Sequence, residues 1–125
     1  TLLSEPAVKL LIRCTRLRSE EMHALLAPAI GDAADMTFST SKGLIEVSPT
    51  GVSKATGLAE VTRRLDIAAA DVIAFGDMPN DVEMLRWAGR GVAMGNAHPS
   101  LLDVADEVTG SNADDGLAQV LERYL

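Results

Sequence analysis

Apolar positions in the first part of the chain follow strand-like runs and one helical stripe. Residues 8–14 form a short apolar run that ends in charged residues, which predicts a strand. Residues 19–30 begin with a serine and two acidic residues, which suit a helix start, and continue with apolar positions at helical spacing. Residues 36–41 and 44–48 predict a hairpin across Lys42-Gly43. The expected order here is strand, helix, strand, strand.

A different pattern follows the break at Pro49-Thr50-Gly51. Helical stripes now alternate with short, nearly continuous apolar runs, which predict helices at 53–65, 79–88, 100–105 and 114–125 and strands at 72–75, 91–94 and 107–109. Strands of this kind are typical of a parallel sheet that is covered on both faces. The sequence therefore predicts an α/β fold in which two architectures meet near residue 50.

Composition and charge narrow the classes of function. The chain has 125 residues, 23% of them charged, and a net charge of −7, which fits a globular protein. This charge argues against nucleic-acid binding, because phosphate contacts need a basic face. Apolar stretches are too short to cross a bilayer, and the single cysteine, Cys14, excludes an internal disulfide. We therefore expect a cytoplasmic protein with neither nucleic-acid nor membrane partners.

The segment from Gly76 to Asp81 carries the clearest chemical signal. It follows a predicted buried strand and opens a helix, which is where ligands bind in open α/β sheets. Asp77, Asn80 and Asp81 bring two carboxylates and an amide to this turn, and Mg²⁺ favours carboxylate oxygens. Helix capping is the alternative and would explain a lone Gly-Asp turn. The whole six-residue pattern favours a site.

Lys54 is the second candidate for a functional residue. It lies at a predicted helix start just after a loop with proline and glycine, where a cation opposes the helix dipole. Backbone amides and an ammonium at a helix start form a phosphate cradle. A solvated surface lysine is the alternative for Lys54 taken alone. Its pairing with the acidic loop one βα unit later favours the phosphate role.

Other polar or reactive residues fit structural roles better. Residues 91–96 are interpreted as a turn, with lining of the same rim as the alternative, and residues 112–116 as capping of the last helix rather than a calcium loop. His23 and His98 have no partner at metal-ligand spacing, and Cys14 fits an apolar strand. A solvated face is expected for the basic cluster near the first strand: Arg13, Arg16 and Arg18.

Four segments resemble motifs of the haloacid dehalogenase (HAD) superfamily, and specifically of its Cof-type sugar-phosphatase branch. Residues 52–58 resemble the third motif of that branch and residues 76–85 its fourth. Residues 91–97 and 112–116 match its C-terminal stretches in order. The acidic fourth motif is quite specific to the branch, whereas the lysine motif alone is weak.

The resemblance implies a fold and a domain organisation. It implies a partial Rossmann-like HAD core, a parallel sheet with helices on both faces, preceded by part of an α/β cap. Residues 1–50 would be the C-terminal half of the cap domain, and residues 51–125 the C-terminal half of the core domain.

The resemblance also implies roles for the candidate residues. Asp77 would ligate Mg²⁺, and Lys54 would neutralise the transferring phosphoryl group. Asn80 would contact the phosphate or the substrate, and Asp81 would support the metal shell or orient Lys54. The substrates implied are small phosphorylated metabolites such as sugar phosphates. The reaction is attack on phosphorus by an aspartate, followed by hydrolysis of the aspartyl-phosphate.

The chain departs from the family pattern in one important respect. The Asp-x-Asp-Gly-Thr motif that supplies the nucleophile, and the Ser/Thr of the second motif, are not among these 125 residues. We therefore expect the C-terminal half of a Mg²⁺-dependent phosphatase, inactive by itself. One alternative is a non-catalytic module that binds a partner or a second copy of itself through an exposed sheet edge. Another, a receiver-like signalling domain, is disfavoured because Lys54 precedes the acidic loop.

Overall fold

Two units, Thr1–Val52 and Ser53–Leu125, make up the chain in the computed structural model, which describes residues 6–125. The division lies next to the loop at which the sequence pattern changes. Each unit has a three-stranded sheet of its own, antiparallel in the first unit and parallel in the second. From residue 6 onward, no helix combines the length and apolar character that crossing a membrane requires.

The first unit has the predicted order of strand, helix, strand, strand. Its elements are β1 (Leu10–Arg13), α1 (Ser19–Ile30), β2 (Asp35–Thr37) and β3 (Leu44–Ser48). Strand β3 lies in the middle and pairs antiparallel with both other strands. Helix α1 contacts β3, and the buried side chains of the unit include Met22, Phe38 and Ile45.

The hairpin formed by β2 and β3 has a longer connection than the sequence predicts. Strand β2 ends at Thr37 rather than continuing to residue 41. The reason is Ser19 at the start of α1, whose hydroxyl donates to the Thr40 carbonyl at 2.5 Å and accepts from the Leu44 amide at 3.0 Å. Because these bonds tie the connection to α1, its backbone does not pair with β3.

The second unit alternates helices and strands throughout. Its strands are β4 (Ile73–Gly76), β5 (Arg90–Ala93) and β6 (Glu107–Val108), and they pair in parallel in the order β4-β5-β6. Its helices, in chain order, are α2 (Lys54–Leu65), α3 (Val82–Trp87), α4 (Pro99–Leu102) and α5 (Gly116–Leu121). This arrangement confirms the predicted α/β class.

Three of these helices are shorter than the sequence predicts. Pro79–Asp81 forms a single 3₁₀ turn before α3, and α4 ends at Leu102. The last helix, predicted over 114–125, is limited to α5, and a separate 3₁₀ turn at Asn112–Asp114 precedes it. Asp115, between those two pieces, has a φ of +54°, which a continuous right-handed helix excludes.

Helices pack on one face of the parallel sheet, and the residues after α5 reach its other face. A buried cluster on one face joins small strand residues to apolar helix residues, namely Ala74, Leu85, Ala88, Ala93 and Leu101. Arg90 and Val92 alternate with glycine and alanine along β5 and so face the other way. On that side Arg90 donates to the Tyr124 hydroxyl at 3.0 Å, which brings the residues after α5 against the sheet.

Strand β4 forms one edge of the parallel sheet. Within residues 6–125, β4 pairs only with β5, so its other side is an unpaired edge. All three strands are parallel, and the loops after their carboxyl ends therefore emerge at one end of the sheet. Those loops carry most of the candidate site residues.

Candidate functional site

The loops after β4, β5 and β6 are hydrogen-bonded to one another. The amide of His98, after β5, donates to the carbonyl of Asp77, after β4, at 2.8 Å. The amide of Gly95 donates to the carbonyl of Gly110, after β6, at 3.0 Å. The three loops thus form one continuous rim at the carboxyl end of the sheet, as expected for a ligand site in an open parallel sheet.

Lys54 lies beside this rim because of where α2 begins. Ser53 is the N-cap of α2, and its hydroxyl accepts from the Thr56 amide at 3.3 Å, which makes Lys54 the first helical residue. The Lys54 ammonium forms an ion pair with Oδ1 of Asp81. The Lys54 side chain is 49% exposed and that of Asp81 only 5%. The ammonium is therefore held by a buried carboxylate, while about half of the Lys54 side chain is exposed to solvent.

Asp81 uses both of its carboxylate oxygens inside the protein. Oδ1 pairs with Lys54, and Oδ2 accepts from the backbone amides of Asp77 and Met78, each at 3.1 Å. Gly76 makes room for this side chain, since a Cβ there would lie 2.5 Å from the Cβ of Asp81. Of the two roles implied for Asp81, these contacts favour orienting Lys54.

Asp77 is held differently from Asp81. Its Oδ2 accepts from Nδ2 of Asn112 at 2.9 Å, and its side chain is half-buried at the rim. Within the described part of the chain, Oδ1 of Asp77 accepts no hydrogen bond. This leaves one carboxylate oxygen at the carboxyl end of β4 for a ligand from outside.

The rim offers carboxylate oxygens, which are the type of ligand that Mg²⁺ prefers. Mg²⁺ is usually bound through one or two carboxylates, with waters and substrate phosphates as its other ligands. Asp77 provides one such carboxylate, whereas the carboxylate of Asp81 is already taken. Among residues 6–125, no three His, Cys, Asp or Glu side chains come together as a metal-binding group. The carboxylate of Asp77 therefore fits the role of a protein ligand to such a cation.

Asn80 carries a polar atom without a partner. Oδ1 of its side chain is buried and has no hydrogen-bond partner in the part of the chain that the structure describes. Buried polar atoms in proteins are almost always hydrogen-bonded, so an exception calls for an explanation. Asn80 lies in the 3₁₀ turn between Asp77 and α3, at the carboxyl end of β4.

Asn96 and Asn112 are two rim residues for which sequence motifs indicate no individual role. The Asn112 amide donates to Oδ1 of Asn96 at 2.7 Å, so the two asparagines link the loops after β5 and β6. The interpretation of residues 112–116 as a helix cap is wrong, because Asp115, at the N-cap of α5, makes no side-chain capping bond. Sequence reasoning could have found Asn96 and Asn112, because each follows a predicted parallel strand and such positions lie at the carboxyl end of the sheet.

The remaining candidates, apart from Cys14, have the structural contacts that the sequence suggests. His98 is the N-cap of α4, where its side chain accepts from the Ser100 amide. His23 makes an edge contact with Phe38 at a ring-centroid distance of 6.2 Å. The prediction that Cys14 is a packed residue of the first strand is wrong, because β1 ends at Arg13 and Cys14 is only half-buried. The basic cluster is exposed at all three of its positions, Arg13, Arg16 and Arg18.

Comparison with known proteins decides the family. The family of haloacid dehalogenase-like hydrolases matches residues 1–121 of the chain. The chain belongs to this family. The match covers both units and confirms the resemblance seen in the sequence motifs.

Curated relatives of this HAD-like chain are phosphatases. The 5-amino-6-(5-phospho-D-ribitylamino)uracil phosphatase of Bacillus subtilis is 42% identical over 81 residues, which are 65% of this chain and 32% of that enzyme. An HMP-PP phosphatase of Yersinia enterocolitica is 38% identical over 107 residues, 84% of this chain and 39% of that enzyme. The chain thus spans about a third of the length of the curated relatives that it matches.

Solved structures of the same family share the fold of this HAD-like chain. A haloacid dehalogenase-like hydrolase from B. subtilis superposes with a TM-score of 0.83 and 28% identity, over 99% of this chain and 44% of that one. A HAD subclass IIB sugar phosphatase superposes with a TM-score of 0.82 and 28% identity, over 96% of this chain and 44% of that one. These similarities confirm the predicted HAD-type α/β fold.

Proposed function

We propose that this chain is part of a Mg²⁺-dependent phosphatase that hydrolyses phosphoric monoesters of small metabolites such as sugar phosphates. One observation carries the proposal. At the carboxyl end of β4, the Lys54 ammonium is anchored by Asp81, and Asp81 also holds the backbone of Asp77, which keeps one carboxylate oxygen open. Both curated relatives and the structurally similar sugar phosphatase are phosphatases as well.

Each rim residue has a role in the proposed reaction. Lys54 binds the phosphoryl oxygens and neutralises their charge, and its ion pair with Asp81 fixes where the ammonium points. Asn80 contacts the phosphate or the substrate through its side-chain amide. Asp77 ligates Mg²⁺, which, when bound, neutralises negative charge on the phosphoryl group. We propose that the nucleophilic aspartate lies outside these 125 residues.

The domain organisation belongs to the same proposal. Residues 1–50 would form the C-terminal half of a cap domain, and residues 51–125 the C-terminal half of the HAD core. Support comes from the structural neighbours, since 96–99% of this chain superposes on only 44% of each of the two. A cytoplasmic location stays a prediction from the sequence.

The test is Asp77→Asn in the full-length protein, assayed for hydrolysis of p-nitrophenyl phosphate and a panel of sugar phosphates. The expected result is loss of Mg²⁺-dependent turnover, because the amide no longer offers a charged oxygen to the cation. The matched control is Asp66→Asn at the far end of α2, where asparagine suits the left-handed backbone at φ +55°. Full Mg²⁺-dependent activity in the Asp77 variant would contradict the site.

A binding or self-associating module stays the alternative, and the unpaired side of β4 is the observation in its favour. Such edges pair readily with another chain. Size-exclusion chromatography separates the two cases. A folded monomer would count against assembly through the edge, whereas a dimer without phosphatase activity would favour it.

A further inference from the structure

The side chain of Asn112 joins two loops at the candidate site. Its Nδ2 donates to Oδ2 of Asp77, 35 residues away in the chain, at 2.9 Å. Its backbone amide donates to Oδ1 of Asn96 at 2.7 Å. Asn112 is thus attached through its backbone to the loop after β5 and through its side chain to the loop after β4.

We propose that Asn112 is a positioning residue, which fixes the carboxylate of Asp77 for the cation. By occupying Oδ2, the amide leaves Oδ1 as the oxygen presented to the metal. The terminal torsion of an aspartate is broad, so without this bond the carboxylate would sample orientations that do not suit a ligand. The inference rests on the proposed function, in which Asp77 binds Mg²⁺.

The backbone around Asn112 is rigid enough for such a role. A Cβ on Gly116 would lie 2.0 Å from the Gly110 carbonyl oxygen, so these two backbone segments are in direct contact. The Thr109 hydroxyl donates to the Gly116 carbonyl at 2.7 Å and closes the same loop. The side chain of Asn112 therefore projects from a loop that its own backbone contacts hold in place.

An asparagine amide suits this position chemically. It donates a hydrogen bond without bringing a positive charge, which would compete with the cation for Asp77. Carboxylates that bind metals are usually hydrogen-bonded by such outer partners, and removing the partner typically costs about 10–100-fold in metal affinity. We expect a loss of that size for Asn112→Ala.

A role in stability alone makes a different prediction. Asn112 is exposed, and its backbone bond to Asn96 remains whatever side chain stands at position 112. If the side chain served only the fold, Asn112→Ala would lower the melting temperature and leave metal affinity unchanged. If it positions Asp77, metal affinity falls while the melting temperature of the metal-free protein stays close to that of the wild type.

The experiment measures Mn²⁺ binding to the full-length protein by electron paramagnetic resonance, with Mg²⁺ as competitor. Asn112→Ala is expected to weaken Mn²⁺ binding by about 10–100-fold. The Mg²⁺ concentration for half-maximal hydrolysis should rise by the same factor. Ser111→Ala is the matched control, since Ser111 lies in the same turn but bonds Asp114 instead of Asp77. Should the alanine variant fail to fold, Asn112→Ser keeps a polar side chain too short to reach Asp77.

The outcomes separate this inference from the proposed function. If Asp77→Asn loses Mn²⁺ binding and Asn112→Ala binds as the wild type does, the positioning role is wrong and the metal site stands. If Asp77→Asn also binds Mn²⁺ normally, the proposed metal site itself is wrong. If both variants lose affinity and Ser111→Ala does not, the positioning role is confirmed.

Discussion

Asp77 and Asp81 lie four residues apart, and their carboxylates differ in how far they are hydrogen-bonded within the protein. Both oxygens of Asp81 are occupied, one by Lys54 and the other by two backbone amides. Among residues 6–125, only Asn112 bonds the side chain of Asp77. Two identical side chains in one turn thus differ in what they can do, because the carboxylate of Asp81 is taken up inside the protein and that of Asp77 has an oxygen left for a ligand.

Asn80 provides a prediction at the scale of one residue. Asn80→Ala in the full-length protein should lower kcat/KM for phosphate monoesters by about 100-fold, the typical cost of losing one donor to a developing charge. The free energy of unfolding should stay the same or rise slightly, because the buried Oδ1 has no bond to lose. Steady-state kinetics and urea unfolding measure the two effects. Retained activity with a clear loss of stability would make Asn80 a structural residue.

Part of the candidate site could be predicted from the sequence, and part could not. Lys54 and Asp81 were predictable as neighbours through the resemblance to the HAD motifs, which implies that Asp81 supports the metal shell or orients Lys54. The contact between Asn112 and Asp77 was not, since it depends on how three separate loops fold against one another. Local patterns carry no information about such side-chain contacts between loops.

Gly76 provides a prediction at the scale of an element, the end of β4. A Cβ at this position would lie 2.5 Å from the Asp81 Cβ and 2.8 Å from Cδ1 of Leu85. Gly76→Ala should therefore lower the free energy of unfolding by about 1–3 kcal/mol, as overpacking does. It should also displace Asp81 from Lys54 and reduce activity.

The control for this substitution is Gly57→Ala, inside α2. Apart from its chain neighbours and the backbone of α2 itself, no atom of the described residues lies within 4 Å of a Cβ built on Gly57. The change should stabilise the helix by about 0.5–1 kcal/mol, because alanine is the better helix former. Urea unfolding of both variants tests the pair. Equal effects at the two positions would contradict the close packing at Gly76.

Element boundaries were less predictable than the elements themselves. Strand β2 ends early because Ser19, far away in the sequence, bonds the connection after it. Helix α5 begins late because Asp115 adopts a left-handed backbone conformation. Periodicity and turn residues identify a helix or a strand, whereas its last residue is set by such contacts and torsions.

Glu107 provides a prediction at the scale of the whole second unit. Its carboxylate accepts from Arg123 at 2.5 Å and also bonds Arg90, so it links β6, β5 and the end of the chain. Hydrogen bonds from Arg123 and then Arg90 lower the pKa of Glu107 below its ordinary value of 4.5. The contribution of the ionised Glu107 carboxylate to the free energy of unfolding is therefore fully present above about pH 4.5. It is lost as the pH falls through the lowered pKa.

Urea unfolding of the full-length protein between pH 7 and pH 3 measures this effect, with pH values chosen to bracket the carboxylate range. Glu107→Gln should be less stable than the wild type at pH 7 and should lose less stability on acidification. Glu60→Gln is the control. Hydrogen bonds from Arg63 and then Arg64 also lower the pKa of Glu60, but both partners lie within one turn of α2. If pH changed the free energy of unfolding of the two variants equally, the link between β6 and the chain end would contribute nothing to stability.

The bonds from Asp81 to the amides of Asp77 and Met78 have a consequence for how the molecule exchanges hydrogen with solvent. These two amide protons are protected by a side chain rather than by a neighbouring strand. Their exchange with deuterium therefore requires only that the Asp81 carboxylate move away, and it can proceed without opening the sheet. Two backbone signals thus report whether Asp81, and Lys54 with it, is in place, even in a protein that turns over no substrate.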